Sequence, residues 1–137
     1  MNKRATIAFK VPFHDVDAMG IVWHGNYVKY FEVARCAVLD AIGYGYDVMK
    51  ASGVAWPVVD MRLRYVKPMV FDQDVEVTAT ILEWESRLRV DYLATDRATG
   101  AKLTTGSSIQ VAVNMSTGEM LFASPSLLLA CMSEGEP

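Results

Sequence analysis

Asp17-Ala18-Met19-Gly20-Ile21-Val22-Trp23-His24-Gly25-Asn26-Tyr27 leads directly into the one long helical pattern of the chain. The stretch sets a carboxylate, an imidazole and a tight glycine turn ahead of a helix start. From there Tyr27, Tyr30, Phe31, Ala34, Val38 and Ala41 recur at intervals of three or four, with Lys29, Glu32 and Asp40 between them. That is the period of an amphipathic helix. It predicts roughly four turns, ending near the Gly43-Tyr44-Gly45 break. Tyr46 to Ala51 predicts a shorter second helix stopped by Gly53.

Outward from this centre the period changes to two. Before it, Thr6 to Val11 places Ile7, Phe9 and Val11 on one face, and Pro12 closes the strand. After Trp56-Pro57 the chain reads as strands. Val59, Met61, Leu63 and Tyr65 alternate with Asp60, Arg62 and Arg64, and Val75, Val77, Ala79 and Ile81 alternate with Glu76, Thr78 and Thr80. Leu88 to Thr95 and Leu103 to Val113 continue the series, with a hairpin turn expected at Arg97-Ala98-Thr99-Gly100. Successive strands with short connections imply an antiparallel sheet whose apolar face needs a cover, and only the helix beginning near His24 to Tyr27 is long enough. The expected class is α+β, with a sheet wrapped around one helix. Ser124 and Pro125 suggest the N-cap and first residue of a short terminal helix carrying Leu127, Leu128 and Leu129.

At 137 residues and 52% apolar composition, one domain over residues 1–137 is expected. The apolar runs are too short for a membrane span, and MNKRATIAFK lacks the apolar centre of a signal peptide, so a cytoplasmic location is expected. A net charge of -3 argues against a broad nucleic-acid surface. Cys36 and Cys131 read as lone thiols rather than a disulfide scaffold.

Among chemical candidates Asp17 comes first. It lies seven residues before His24, and the turn at Gly20 can fold it back toward the helix start. Unpaired N–H groups at that start favour an acidic side chain and can polarise a carbonyl or stabilise an oxyanion during acyl transfer. An aspartate ahead of a helix serves at least as often to cap a turn. His24 can orient water or bond a carbonyl, or simply pack. His14, Asp15, Asp17 and His24 match no established metal-ligand spacing. No G-x-S-x-G elbow is present, and Gly43-Tyr44-Gly45 lacks the remainder of a dinucleotide fingerprint. Trp23, Tyr27 and Trp56 are candidates for an apolar pocket or for ordinary core. Arg62, Arg64, Lys67, Arg87 and Arg89 can hold phosphates or form a solvated sheet face. The small polar run Thr104-Thr105-Gly106-Ser107-Ser108 marks a bulge, an interface or a close approach.

The segment FHDVDAMGIVWHGNYVKYFEVAR resembles the opening of the 4-hydroxybenzoyl-CoA thioesterase family. The likeness extends to Trp56-Pro57, Leu63-Arg64-Tyr65-Val66-Lys67-Pro68 and Asp72-x-Asp74. It implies the hotdog fold: a five-stranded antiparallel sheet around a long central helix, in homodimers commonly paired into homotetramers with active sites between subunits. It implies hydrolysis of acyl-CoA thioesters, with Asp17 as nucleophile or general base and the amide near His24 as oxyanion donor. His24 matches the branch of Tol-Pal-associated acyl-CoA thioesterases, whereas Phe13, Trp23 and Asn26 resemble the aryl-CoA branch, which points to an aryl or short acyl group. Gly20, Gly25, Tyr27 and Trp56 join these as expected substrate-site positions, and Arg87 and Arg89 as expected partners of the nucleotide end. Neither a metal nor an organic cofactor is required. The competing readings are a non-catalytic acyl-CoA-binding or interaction module and a hotdog 2-enoyl-CoA hydratase. The hydratase motif sets its aspartate and histidine five residues apart, against seven here.

Overall fold

The computed structural model describes residues 3–133. Strand β1 covers Arg4–Lys10, helix α1 Tyr27–Ala41, helix α2 Tyr46–Ser52, and the two-residue strand β2 Val54–Ala55. The long strands β3 Val58–Tyr65, β4 Asp74–Glu83, β5 Leu88–Asp96 and β6 Lys102–Gln110 follow, then β7 Val113–Asn114 and helix α3 Ser126–Ser133. All five long strands form one antiparallel sheet in the order β1-β4-β5-β6-β3.

The alternation read from the sequence becomes burial. Val75, Val77, Ala79 and Ile81 of β4 are fully buried, as are Leu88, Val90 and Ala94 of β5. They face α1, which buries Tyr27, Tyr30, Phe31, Ala34, Val38 and Leu39, while Ala41 at its end is exposed. Each large apolar side chain so buried stabilises the fold by roughly 1.5–3 kcal/mol. Helix α1 packs chiefly on β1 and β4 and reaches β5. Phe31 extends furthest, stacking on Tyr92 at 4.6 Å between ring centroids. A Cβ on Gly106 would come within 2.6 Å of both the Phe31 ring and the Arg62 carbonyl oxygen. Of the three readings left open for the small polar run, this supports close approach: β6 gives up a side chain where the helix comes nearest.

Three expectations change. Consecutive strands are not all neighbours, because β3 lies at the edge beyond β6, so residues 66–73 must cross the sheet to reach β4. Met69 anchors that crossover, fully buried, with its N–H donating to the Tyr27 hydroxyl at 3.1 Å. The strand expected over Leu103–Val113 breaks after Gln110, and its last part pairs with β2 as a separate two-stranded ribbon. Ser124 does not cap α3 through its side chain: its buried hydroxyl has no hydrogen-bond partner among the described residues. The Pro125 carbonyl instead takes the Leu128 and Leu129 N–H groups. Gly53 ends α2 in the left-handed region, at φ 77°.

A charge sits under the helix as well. Arg35 is 2% exposed, ion-paired with Glu32 on the same helix and hydrogen-bonded toward Tyr92 and Tyr46. Burial alone would make it easier to deprotonate, but Tyr92 and Glu32 outweigh that and hold it charged.

Candidate active site

The stretch ahead of α1 folds as a small hairpin. Val16 and Val22 form a bridge, the Asp17 N–H donates to the Ile21 carbonyl at 2.8 Å, and the Gly20 N–H returns to the Asp17 carbonyl at 3.0 Å. Gly20 takes φ 79°, where a side chain would be strained. The crossover clamps the hairpin: Ile21 bridges to Val70, the Val22 N–H reaches the Met69 carbonyl at 2.9 Å, and the Phe71 N–H reaches the Gly20 carbonyl at 3.2 Å.

Asp15 ties this loop to the helix. Its main-chain carbonyl accepts from the Trp23 N–H at 3.0 Å and from the Asn26 side-chain amide at 2.9 Å. Its carboxylate, on a residue 5% exposed, accepts from the Tyr30 hydroxyl at 2.7 Å and from Lys29 at 3.2 Å. Burial would raise the Asp15 carboxyl pKa, but the Tyr30 hydroxyl and Lys29 outweigh it and hold the value below the ordinary 3.8. Tyr30 moves the opposite way, pushed up by burial and by the neighbouring carboxylate.

Asp17, two positions on, is exposed. One carboxylate oxygen accepts from the Met19 N–H at 2.8 Å, which fixes the side chain without burying it. Asp17, Ile21, Val22, His24, Tyr27, Tyr65 and Pro68 line a cleft of about 220 Å³. A single-turn 3-10 helix over His24–Asn26 opens α1. The first N–H bonded within that turn is that of Asn26, to the Trp23 carbonyl at 2.9 Å, so those of His24 and Gly25 lie ahead of it. The cleft therefore combines a carboxylate, an imidazole, apolar walls and a helix start carrying partial positive charge.

Not every expected residue joins it. Gly20 and Asn26 build the loop rather than line the cleft. Gly25 lies beneath the exposed Trp23 indole, where a Cβ would meet the ring at 2.2 Å. Phe13 is 75% exposed and stands edge-on to Phe71 at 5.6 Å. Trp56 is buried in the core, its indole N–H donating to the Tyr44 hydroxyl at 2.9 Å, and it does not line the cleft. Arg87 pairs with Glu83 at 2.7 Å and Arg89 with Asp91 at 3.3 Å. Arg89 shares a shallow outer-face groove with Arg62 and Arg64, separate from the Asp17 cleft. The cleft residues missed by the sequence reading are Ile21, Val22, Tyr65 and Pro68. Tyr65 had looked like an ordinary member of an alternating strand. Among the described residues no three histidine, cysteine or acidic side chains gather into a metal-binding group, and no helix is long and apolar enough to cross a membrane.

Comparison with known proteins agrees with this geometry. The protein named "Putative acyl-CoA thioesterase YneP" of Bacillus subtilis is 37% identical over 75 residues, covering 55% of this chain and 51% of that protein. The matched stretch thus spans about half the length of that curated relative. Among solved structures, a DHNA-CoA thioesterase from Staphylococcus aureus superposes with a TM-score of 0.80 at 26% identity, covering 87% of this chain and 80% of the other. A hypothetical protein from Thermus thermophilus gives 0.84 at 27% identity, covering 98% of each chain. Residues 11–130 match the model of the thioesterase-like superfamily, so the sheet-wrapped helix is a hotdog fold and the chain belongs to that superfamily.

Proposed function

We propose that this protein hydrolyses acyl-CoA thioesters bearing aryl or short acyl groups, releasing the free acid and coenzyme A. The observation that carries this is the meeting of the Asp17 carboxylate and the start of α1 in one apolar-walled cleft. Asp17 brings oxygen to the thioester carbonyl carbon, either by attacking it to form a mixed anhydride or by taking a proton from an attacking water. Helix-start N–H groups take up the negative charge that develops on the carbonyl oxygen, and His24 borders the same space. Collapse breaks the carbon–sulfur bond. With a thiol pKa near about 8.5, the thiolate departs with little proton assistance, and in the general-base route it recovers the proton from Asp17. In the anhydride route a second step, attack by water, frees Asp17. No metal or organic cofactor enters either route.

The uncovered part of the sheet supports a homodimer. Among the described residues strand β3 pairs only with β6, leaving an open edge, and Val58, Val59 and Tyr65 along it are 40%, 59% and 47% exposed. On β6 the residues facing the same way as Gly106, Thr104, Ser108 and Gln110, are buried within the chain, whereas on β3 Met61 and Leu63 are only partly buried. A second copy paired along β3 would remove the edge and bring its own helix to that face. Light scattering at micromolar concentration checks this: a monomer would sink it.

The test of function is thiol release from benzoyl, hydroxybenzoyl, phenylacetyl, short-chain and long-chain acyl-CoA, comparing the wild type with Asp17→Asn. Release that collapses in a folded variant supports the assignment. Equal release from both would remove Asp17 from the mechanism, and silence from both would leave an acyl-CoA-binding module as the better reading.

A further inference from the structure

The cleft has walls that belong to different pieces of chain. Asp17, Ile21 and Val22 come from the hairpin, and His24 and Tyr27 from the start of α1. Asp17 is fixed within its own wall, because its carboxylate accepts from the Met19 N–H of the same hairpin at 2.8 Å. It therefore moves with the hairpin. How the hairpin sits against the helix sets the reaction geometry, and a buried acid lies at that seam.

Asp15 stands one position before the Val16–Val22 bridge that closes the hairpin. Its carboxylate reaches α1 and does not line the cleft. One oxygen accepts from the Tyr30 hydroxyl at 2.7 Å and the other from Lys29 at 3.2 Å. Its main-chain carbonyl accepts from the Trp23 N–H at 3.0 Å and the Asn26 side-chain amide at 2.9 Å. Donors from the helix and from the turn ahead of it thus converge on one residue at the root of the hairpin. Tyr30 is the firmer of the two carboxylate partners. It is 8% exposed and its ring packs on Phe9 with centroids 4.5 Å apart, whereas the Lys29 side chain is 60% exposed. A hydrogen bond to a charged acceptor is among the stronger ones, and a buried carboxylate that lost it would be left short of partners.

We propose that Asp15 is a positioning residue: held by the Tyr30 hydroxyl, it sets the hairpin against α1 and so fixes where the Asp17 carboxylate stands relative to the His24 side of the cleft. This rests on the thioesterase reading above. Asp15 touches no reacting atom and acts only through the placement of Asp17. Such placement matters because a shift of about 1 Å can cost about 10²-fold in rate.

Tyr30→Phe keeps the ring and its packing on Phe9 and removes only the hydroxyl. With benzoyl-CoA, well below the melting temperature, kcat is expected to fall roughly 10-fold while KM stays within about twofold, as for an interaction that matters in the transition state and not in binding. A merely structural bond would lower stability without that split. The reference is therefore Val90→Ala, a truncation in the core that does not line the cleft; it should melt earlier than wild type with kcat unchanged. Asp15→Asn should lower kcat as well, and Asp15→Asn combined with Tyr30→Phe should lose no more than about twofold beyond the worse single variant, since both act through one contact. An unchanged kcat in Tyr30→Phe, an equal loss in Val90→Ala, or losses that multiply in the double variant overturn the positioning role. Thiol release that survives Asp17→Asn overturns the thioesterase mechanism instead. Amide exchange then still decides on Asp15: in Tyr30→Phe the Asp17, Gly20 and Val22 amides should gain more in exchange rate than those of β4, and an equal gain in both would show that Asp15 does not hold the hairpin.

Discussion

The two ends of α1 both open onto clefts lined with acidic side chains, and they differ in the sign of the backbone that faces them. At the carboxyl end a cleft of about 440 Å³, twice the size of the other, is bordered by Cys36, Asp40, Tyr46 and Asp47. That end presents carbonyl oxygens, whose partial negative charge opposes both an oxyanion and a polyanionic coenzyme. The start of α2 lies nearby, but Asp47 already occupies its first turn. At the amino end the cleft is smaller, the free backbone groups are N–H donors, and the carboxylate stands at the tip of a clamped hairpin. Direction of the helix, rather than cavity volume, separates a place where acyl transfer can be stabilised from one where it cannot.

The hardest blow to this contrast comes from Asp17→Asn. It should lower kcat/KM for the best thioester by about 10²–10⁴-fold, the range for losing a positioned acid–base group. The asparagine oxygen can still accept the Met19 N–H, so the melting temperature should hold. A variant that melts early would mean that Asp17 is structural.

Within the amino end itself, the proposed mechanism assigns anchoring to Asp15 and chemistry to Asp17. Tyr30→Phe removes a buried hydroxyl donor to a charged acceptor, and urea unfolding should show a loss of about 1.5–3 kcal/mol. If stability is unchanged and activity is lost, that division fails. The pH dependence sharpens the same point. The folded pKa of Asp15 lies below 3.8. Its contribution to stability is therefore present above the unfolded value and is lost as pH falls through the folded one. Melting temperatures followed from about pH 5 to pH 2 should drop more steeply for the wild type than for Tyr30→Phe, in which the depression is smaller.

The smallest effect is expected at the far end. Asp47→Asn should leave thiol release within about twofold of wild type, as surface substitutions away from a site usually do. A loss comparable to that of Asp17→Asn would move the chemistry to the carboxyl end of α1.

Local periodicity carried most of the fold. The helical stripe from Tyr27 to Val38 and the alternation in β4 follow from which side chains avoid water, and each element can be read without knowing its neighbours. Strand order cannot be read that way, since β3 has the same alternation whether it lies beside β4 or beyond β6. Arg35 was equally invisible, because a charge on a helix reads as exposed until Glu32 and Tyr92 are known to meet it. At the site, Asp17, Gly20 and His24 were legible from spacing and from the family pattern. That Asp15 would be the buried acid depended on Tyr30 reaching it across the first turn of α1. Trp56 could be read from the sequence as pocket wall or as ordinary core, and its bond to Tyr44 places it in the core. Tyr65 was hidden because what brings it to the cleft is a bond to main chain 41 residues away.

The missing side chain at Gly106 acts as a spacer with zero thickness. It sets how deeply α1 sits in the sheet, and α1 carries the His24–Asn26 turn at its front while the hairpin of Asp17 is clamped to the crossover. A methyl group there would lift Phe31 and shift one jaw of the cleft against the other. The tolerance of the reaction geometry is therefore held by a position on β6 that lies outside the cleft.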